Sequence, residues 1–155
     1  MVGFSYGAAC QMAGLGSGQS EPDTVFADCG GFSDAHTSGI RQGGALALKQ
    51  ATWAHAQALR DANARGDFAA AEALAREDVL AWLRKGPWAP GHSPLAAAPD
   101  HERNLAAFWQ AGARSKFWDR PGLHLPAKAL GSTAARVFLV TSWHDTSLRS
   151  TLDNH

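Results

Sequence analysis

The chain has 155 residues, 45% of them apolar and 18% charged, which suits one globular domain with a buried core and excludes a disordered or fibrous polymer. Fourteen basic residues balance fourteen acidic ones, so no net field draws the chain to nucleic acid or to a membrane surface. No apolar stretch approaches a bilayer span and no basic-then-apolar leader follows Met1, which makes cytoplasmic the default location.

Met1-Val2 runs into Gly3-Phe4-Ser5-Tyr6-Gly7, a G-x-S-x-G pattern followed by the small apolar run Ala8 to Ala13. A nucleophilic serine needs a sharp strand-to-helix turn, strained in a way that glycine neighbours tolerate, so that its hydroxyl stands clear of the sheet. Ser5 is the candidate nucleophile, and the Tyr6 backbone N–H is half of a candidate oxyanion hole. The same five residues also read as a simple turn. Ala8 to Leu15 predict a short helix ended by Gly14, Gly16 and Gly18. Thr24-Val25-Phe26-Ala27 then predicts a buried parallel strand that stops at Asp28-Cys29-Gly30-Gly31, which completes a right-handed β-α-β unit. Cys10 and Cys29 read as small buried residues, too few and too isolated for a disulfide framework. The seven histidines show no metal-binding spacing, so neither a metal nor another cofactor is expected.

From Gly43 the chain turns alanine-rich and helical. Leu46 to Ala64 predict a helix with Leu48, Thr52, His55 and Leu59 on one face and Trp53 beside it. Asp67 caps a second helix, Phe68 to Arg84, with Phe68, Ala71, Ala75, Val79 and Trp82 at core spacing. Pro87, Pro90, Gly91 and Pro94 forbid regular structure. A third helix starts near Asp100 as N-cap, with Leu105, Phe108 and Trp109 on one face. The tryptophans read first as helix-packing residues, although an aromatic helical insertion between two strands is also where a substrate pocket is built. Ala135 to Thr141 is the strongest strand of the chain and ends in Ser142-Trp143-His144-Asp145. Leu148 to Leu152 opens a last helix, capped by Thr146 or Ser147.

Asp145, at the C-terminal end of a parallel strand downstream of a serine turn, stands where an α/β-hydrolase keeps the acid that orients its histidine. Taken alone it also reads as a helix cap. The pairing of G-F-S-Y-G with V-F-L-V-T-S-W-H-D-T, across a helical section bearing tryptophans, resembles the family of the X-prolyl dipeptidyl peptidases, cocaine esterase and the α-amino-acid ester hydrolases. Members carry a G-x-S-Y turn and a strand ending in G-W-x-D; here Ser142 replaces the glycine.

The resemblance implies an α/β fold, a partial α/β-hydrolase with a parallel sheet fragment and a helical cap insertion. It divides the chain into 1–42 for the serine-bearing β-α-β part, 43–120 for the cap and 121–155 for the strand with the triad acid. It makes Ser5 the nucleophile, Tyr6 an oxyanion donor and Asp145 the triad acid. The family's histidine follows one further strand, which this chain does not reach. Only His155 lies beyond Asp145, and His144 precedes it, so the resemblance implies an internal piece of a serine hydrolase with open sheet edges and unpaired apolar surface. The implied substrate is a small ester, an amide or a short peptide. Asp28, Asp34 and Asp78 are candidates for recognising its amino terminus, and each reads equally as a surface carboxylate. Two other readings stand beside this one: a non-catalytic helical binding protein, and a surface contributed to a partner that supplies the rest of the site. The sequence sets no oligomeric state.

Overall fold

Three short strands end on one line, and everything around Ser5 follows from that. In the computed structural model, which describes residues 1–18, 22–125 and 130–155, the strands β1 (Val2–Phe4), β2 (Thr24–Asp28) and β5 (Arg136–Val140) pair in parallel in the order β1-β2-β5. Phe4 lies opposite Asp28 and Asp28 opposite Val140, so all three carboxyl ends fall at one level. Helix α1 (Tyr6–Ser17) makes the crossover between β1 and β2 and closes on Gly18 in the left-handed conformation. Gly14 and Gly16 lie inside this helix and do not end it, because only Gly18 takes the positive φ that a C-cap uses.

Side chains alternate across the pleat. Val25 and Ala27 of β2 turn towards Ala8, Met12 and Leu15 of α1, with Leu125, Val137 and Leu139 completing this core. The other face carries Val2, Phe4, Phe26, Phe138 and Val140. It is bare among the described residues, with Val2 82% and Phe4 69% exposed, and Phe26 stacks on Phe138 at 6.4 Å. Parallel sheets are ordinarily covered on both faces, so this open face matches the unpaired apolar surface expected from the sequence.

After β5 the chain turns into helix α6 (Leu148–Asp153), which is fastened to the segment following β2. Ser150 is buried and donates to the Ser38 carbonyl at 2.9 Å, and Asn154 Nδ2 donates to the Gly31 carbonyl at 3.0 Å. Trp118, fully buried in the 3-10 turn Lys116–Asp119, packs edge-on against His36. Arg114 ties Asp34 (3.2 Å) to Asp119 (2.6 Å) in the same unit. A two-residue turn at Gly43 (φ 57°) and Gly44 (φ 90°) joins the short strands β3 (Arg41–Gln42) and β4 (Ala45–Leu46), a conformation that suits glycine at both positions.

The chain divides into two compact units, residues 1–45 with 113–155, and residues 46–112. The second unit is helical: α2 (Lys49–Ala64), α3 (Phe68–Ala75), α4 (Val79–Lys85) and α5 (Pro99–Gln110). Its core departs from the expected face of α2. Ala51, Ala54, Ala58 and Ala62 are buried, while Leu48 and Trp53 are exposed, because the small side chains let α3 and α5 approach closely. The helix predicted over Phe68 to Arg84 is two helices. Asp67 caps the first by accepting from the Ala70 amide, as expected; Asp78 then leaves the helical conformation and caps the second through the Ala81 amide at 3.0 Å. Phe68 and Ala75, expected in the core, are exposed. Helix α5 begins at Pro99, not after an Asp100 cap, since proline at the first position sacrifices no needed N–H. No helix among the described residues is long and apolar enough to cross a membrane.

Candidate active site

Ser5 occupies the single residue between β1 and α1, with φ 53° and ψ −114°. An L-residue held there costs on the order of 1–3 kcal/mol, and surrounding structure must impose it. Three features do so. The Ser5 N–H donates to the Asp28 carbonyl at 2.9 Å, which prolongs the β1–β2 ladder by one residue; the Ala9 N–H donates back to the Ser5 carbonyl at 3.1 Å, which starts the helix. Glycines then leave room for the fold-back. A Cβ on Gly3 would lie 2.5 Å from the Gly7 carbonyl carbon, and a Cβ on Gly30 would lie 2.3 Å from the Ser5 carbonyl oxygen. Gly7, the second glycine of the motif, has nothing within 4 Å of a Cβ. The steric partner of Gly3 is therefore Gly30, twenty-five residues beyond Ser5 and outside the motif.

The Ser5 side chain is exposed and makes no capping bond to α1. The Tyr6 N–H is the first amide of that helix, where backbone donors have no intrahelical acceptor and the helix dipole favours negative charge. An oxyanion forming on a carbonyl attacked by Ser5 has this amide as a neighbour in the chain.

Asp145 lies in the turn between β5 and α6. Its Oδ2 accepts from the Thr141 hydroxyl at 2.8 Å and its Oδ1 from the Ser147 amide at 3.1 Å. These bonds fix the carboxylate just past the end of β5. Because β2 separates β1 from β5, Ser5 and Thr141 stand about two strand spacings, roughly 10 Å, apart. That interval accommodates an imidazole between a serine hydroxyl and a carboxylate.

Cys29 stands between them, at the end of β2. Its φ is 51°, its N–H donates to the Val140 carbonyl at 2.8 Å, and it is partly exposed, while Cys10 is exposed; neither is the buried residue expected. Hydrogen bonding to the Asp28 carboxylate is the first cause that pushes the Cys29 thiol up to about 11, with desolvation and the Asp145 charge adding to it. A raised thiol is mostly protonated below that pH. At pH 8 only about one Cys29 in a thousand is a thiolate, so iodoacetamide labels the exposed Cys10 first. Cys29 labelling accelerates about tenfold per pH unit up to roughly pH 11; mass spectrometry showing Cys29 modified as fast as Cys10 at pH 8 contradicts this arrangement.

No histidine is hydrogen-bonded to Ser5 or Asp145 among the described residues. His55 bonds the Leu74 carbonyl, His101 bonds Asp61 and His124 bonds the Ser33 carbonyl. His36 and His92 face Trp118 and Trp82, and His144 and His155 are exposed. Of the carboxylates considered for an amino terminus, Asp34 is engaged by Arg114 and by the His36 amide, and Asp78 caps α4; Asp28 stays beside Cys29. A cavity of about 180 Å³ in the sheet-bearing unit, lined by Met12, Phe32, Asp119 and His124 among others, contains none of Ser5, Tyr6 and Asp145.

Sequence reasoning missed Gly30, Thr141 and the Ser150 and Asn154 fastenings of α6. The pair Gly30-Gly31 signalled only the end of a strand, and nothing local marks which backbone a glycine must admit.

The family model for X-Pro dipeptidyl-peptidase (S15 family) matches residues 1–155. No curated protein and no solved structure matches the chain.

Proposed function

The chain belongs to the X-Pro dipeptidyl-peptidase (S15) family, a family of serine peptidases, and on that footing we propose that it is built to form an acyl-enzyme on Ser5 from an ester, amide or X-Pro peptide. The observation that carries this reading is Ser5 at φ 53° and ψ −114°, at the level where β1, β2 and β5 end together, with Asp145 held past the end of β5.

The Ser5 hydroxyl adds to the scissile carbonyl while its proton passes to an imidazole. The Tyr6 N–H donates to the oxyanion that forms. Collapse expels the amine or alcohol, which takes the proton, and water then releases the acyl group by the same steps. Asp145 accepts the imidazole's second N–H and stabilises its charged form. In this reading 1–42 and 121–155 carry the chemistry, and 43–120 is the helical insertion between them in the chain.

Among the described residues no histidine is bonded at the site, so Ser5 alone remains a protonated, weak nucleophile. The test is rescue by added imidazole. A fluorophosphonate labels Ser5 slowly in buffer, and imidazole on the order of 0.1 M raises the rate at least about tenfold, below the roughly 10²–10⁴-fold of a positioned general base because the added imidazole is not held in place. Ser5→Ala abolishes labelling; Asp145→Asn removes most of the imidazole increment but not the basal rate. Labelling that persists in Ser5→Ala, or an increment indifferent to Asp145→Asn, sinks the proposal.

A further inference from the structure

The bare face of the three-stranded sheet carries three rows of side chains, set by the strand register. Thr24 and Arg136 form the row at the amino ends of the strands, Val2, Phe26 and Phe138 the middle row, and Phe4, Asp28 and Val140 the row at the carboxyl ends. Val25, Ala27, Val137 and Leu139 alternate with these and turn into the core on the other side, so the three rows share one face. Val2 is 82% exposed, Phe4 69%, Phe138 53%, Val140 38% and Phe26 37%. Together these five side chains leave roughly 500 Å² of apolar surface open, at the upper end of what monomers carry. Two such faces laid on each other bury about 1,000 Å², which reaches the size of a stable interface before any flanking contact is added.

The charges on the face point to its occupant. Among the eight residues of the three rows there is one cation, Arg136, at the amino end of β5, and one anion, Asp28, at the carboxyl end of the neighbouring β2. Arg136 is exposed and forms no ion pair among the described residues. An anionic membrane or a nucleic acid is held by several basic residues together, and this face offers one. A face with one charge of each sign at opposite ends is instead complementary to itself when turned end over end.

We propose that a second copy of this chain covers the face, related by a twofold axis that lies in the interface and runs across the strands near the Phe26 row. The strands of the two sheets then run antiparallel. Phe26 and Phe138 meet their own counterparts, and the amino-end row of each copy lies over the carboxyl-end row of the other. Arg136 of each copy stands diagonally across from Asp28 of the partner subunit, at two symmetric places. A twofold axis along the strands would stack Asp28 on its own counterpart, a like-charge contact that disfavours it. Nothing in this inference uses Ser5, and its test is independent of the hydrolase reading.

The test is sedimentation equilibrium of the 155-residue chain from about 1 μM to about 1 mM. A single monomer–dimer equilibrium is expected, with Kd on the order of 10 μM, as suits an interface at the small end of the size range. Phe138→Lys, which places two ammonium groups against each other in a desolvated contact, raises Kd at least about a hundredfold. Trp53→Lys, at an equally exposed aromatic position of the helical unit, leaves Kd unchanged. Asp28→Asn and Arg136→Gln each weaken the dimer about fivefold, since each removes both symmetric pairs. A chain that stays single up to about 1 mM has some other cover on this face and overturns the proposal. Assembly that runs on past a dimer also overturns it, as does a Phe138→Lys effect no larger than that of Trp53→Lys. A dimer tightened by Asp28→Asn overturns the antiparallel arrangement. Should Phe138→Lys fail to fold, the mass of the unaltered chain and the two charge variants still decide.

Discussion

Gly30→Ala is expected to destabilise the sheet-bearing unit by about 2–3 kcal/mol, the upper range for inserting one methyl group into a packed site. Gly30 does not need glycine for its dihedral angles, since its φ is not positive. It needs glycine for space: the new Cβ meets the Ser5 carbonyl oxygen at 2.3 Å and the Ala8 Cβ at 3.0 Å. The first of these is backbone and cannot rotate away. Relief requires β2 and the serine turn to separate, which strains the bond from the Ser5 N–H to the Asp28 carbonyl. Hydrogen exchange of the β2 amides reads the loss of stability, and imidazole-assisted phosphonate labelling of Ser5 falls with it. An alanine variant with unchanged β2 protection and unchanged labelling would show that Gly30 does not set the turn.

The two glycines of the G-x-S-x-G motif are expected to behave oppositely. In Gly3→Ala the added methyl lies 2.5 Å from the Gly7 carbonyl carbon and 2.6 Å from its oxygen, as well as against the Gln11 amide. The side-chain amide can move and the backbone cannot, so the cost is again on the order of 2–3 kcal/mol. Gly7→Ala meets nothing within 4 Å and sits in the first turn of α1. Alanine there restricts the unfolded chain and favours the helix, which stabilises by about 0.5 kcal/mol. Urea midpoints of the two variants moving in opposite directions from the parent chain are the expected result. A Gly7→Ala loss as large as that of Gly3→Ala would mean that the turn is tighter around its second glycine than the geometry places it.

Several features followed from residues that act within a few positions of themselves. Val25 and Phe26 in a short apolar run, and Val137 to Val140, form strands because β-branched and aromatic side chains suit a pleated surface. Asp67 caps α3 because its side chain reaches an amide three residues ahead. The serine turn with a helix behind it was likewise legible, as was the family, from the two motifs at the ends of the chain. These are short-range effects, and a sequence displays them directly.

What the tertiary structure decided depends on neighbours distant along the chain. The buried face of α2 is its alanine face and not the one bearing Leu48 and Thr52, since close helix packing rewards small residues where another backbone approaches. Asp78 interrupts a continuous helical pattern because its side chain competes for the amide that starts α4. Asp145 is positioned by Thr141 and by an α6 fastened through Ser150 and Asn154 to the chain beyond β2, more than a hundred residues away. The division of labour among the glycines has the same origin. Gly3 and Gly7 are identical in the motif, and only the crossing of one backbone over another makes the first indispensable, the second replaceable, and Gly30 their unrecognised partner.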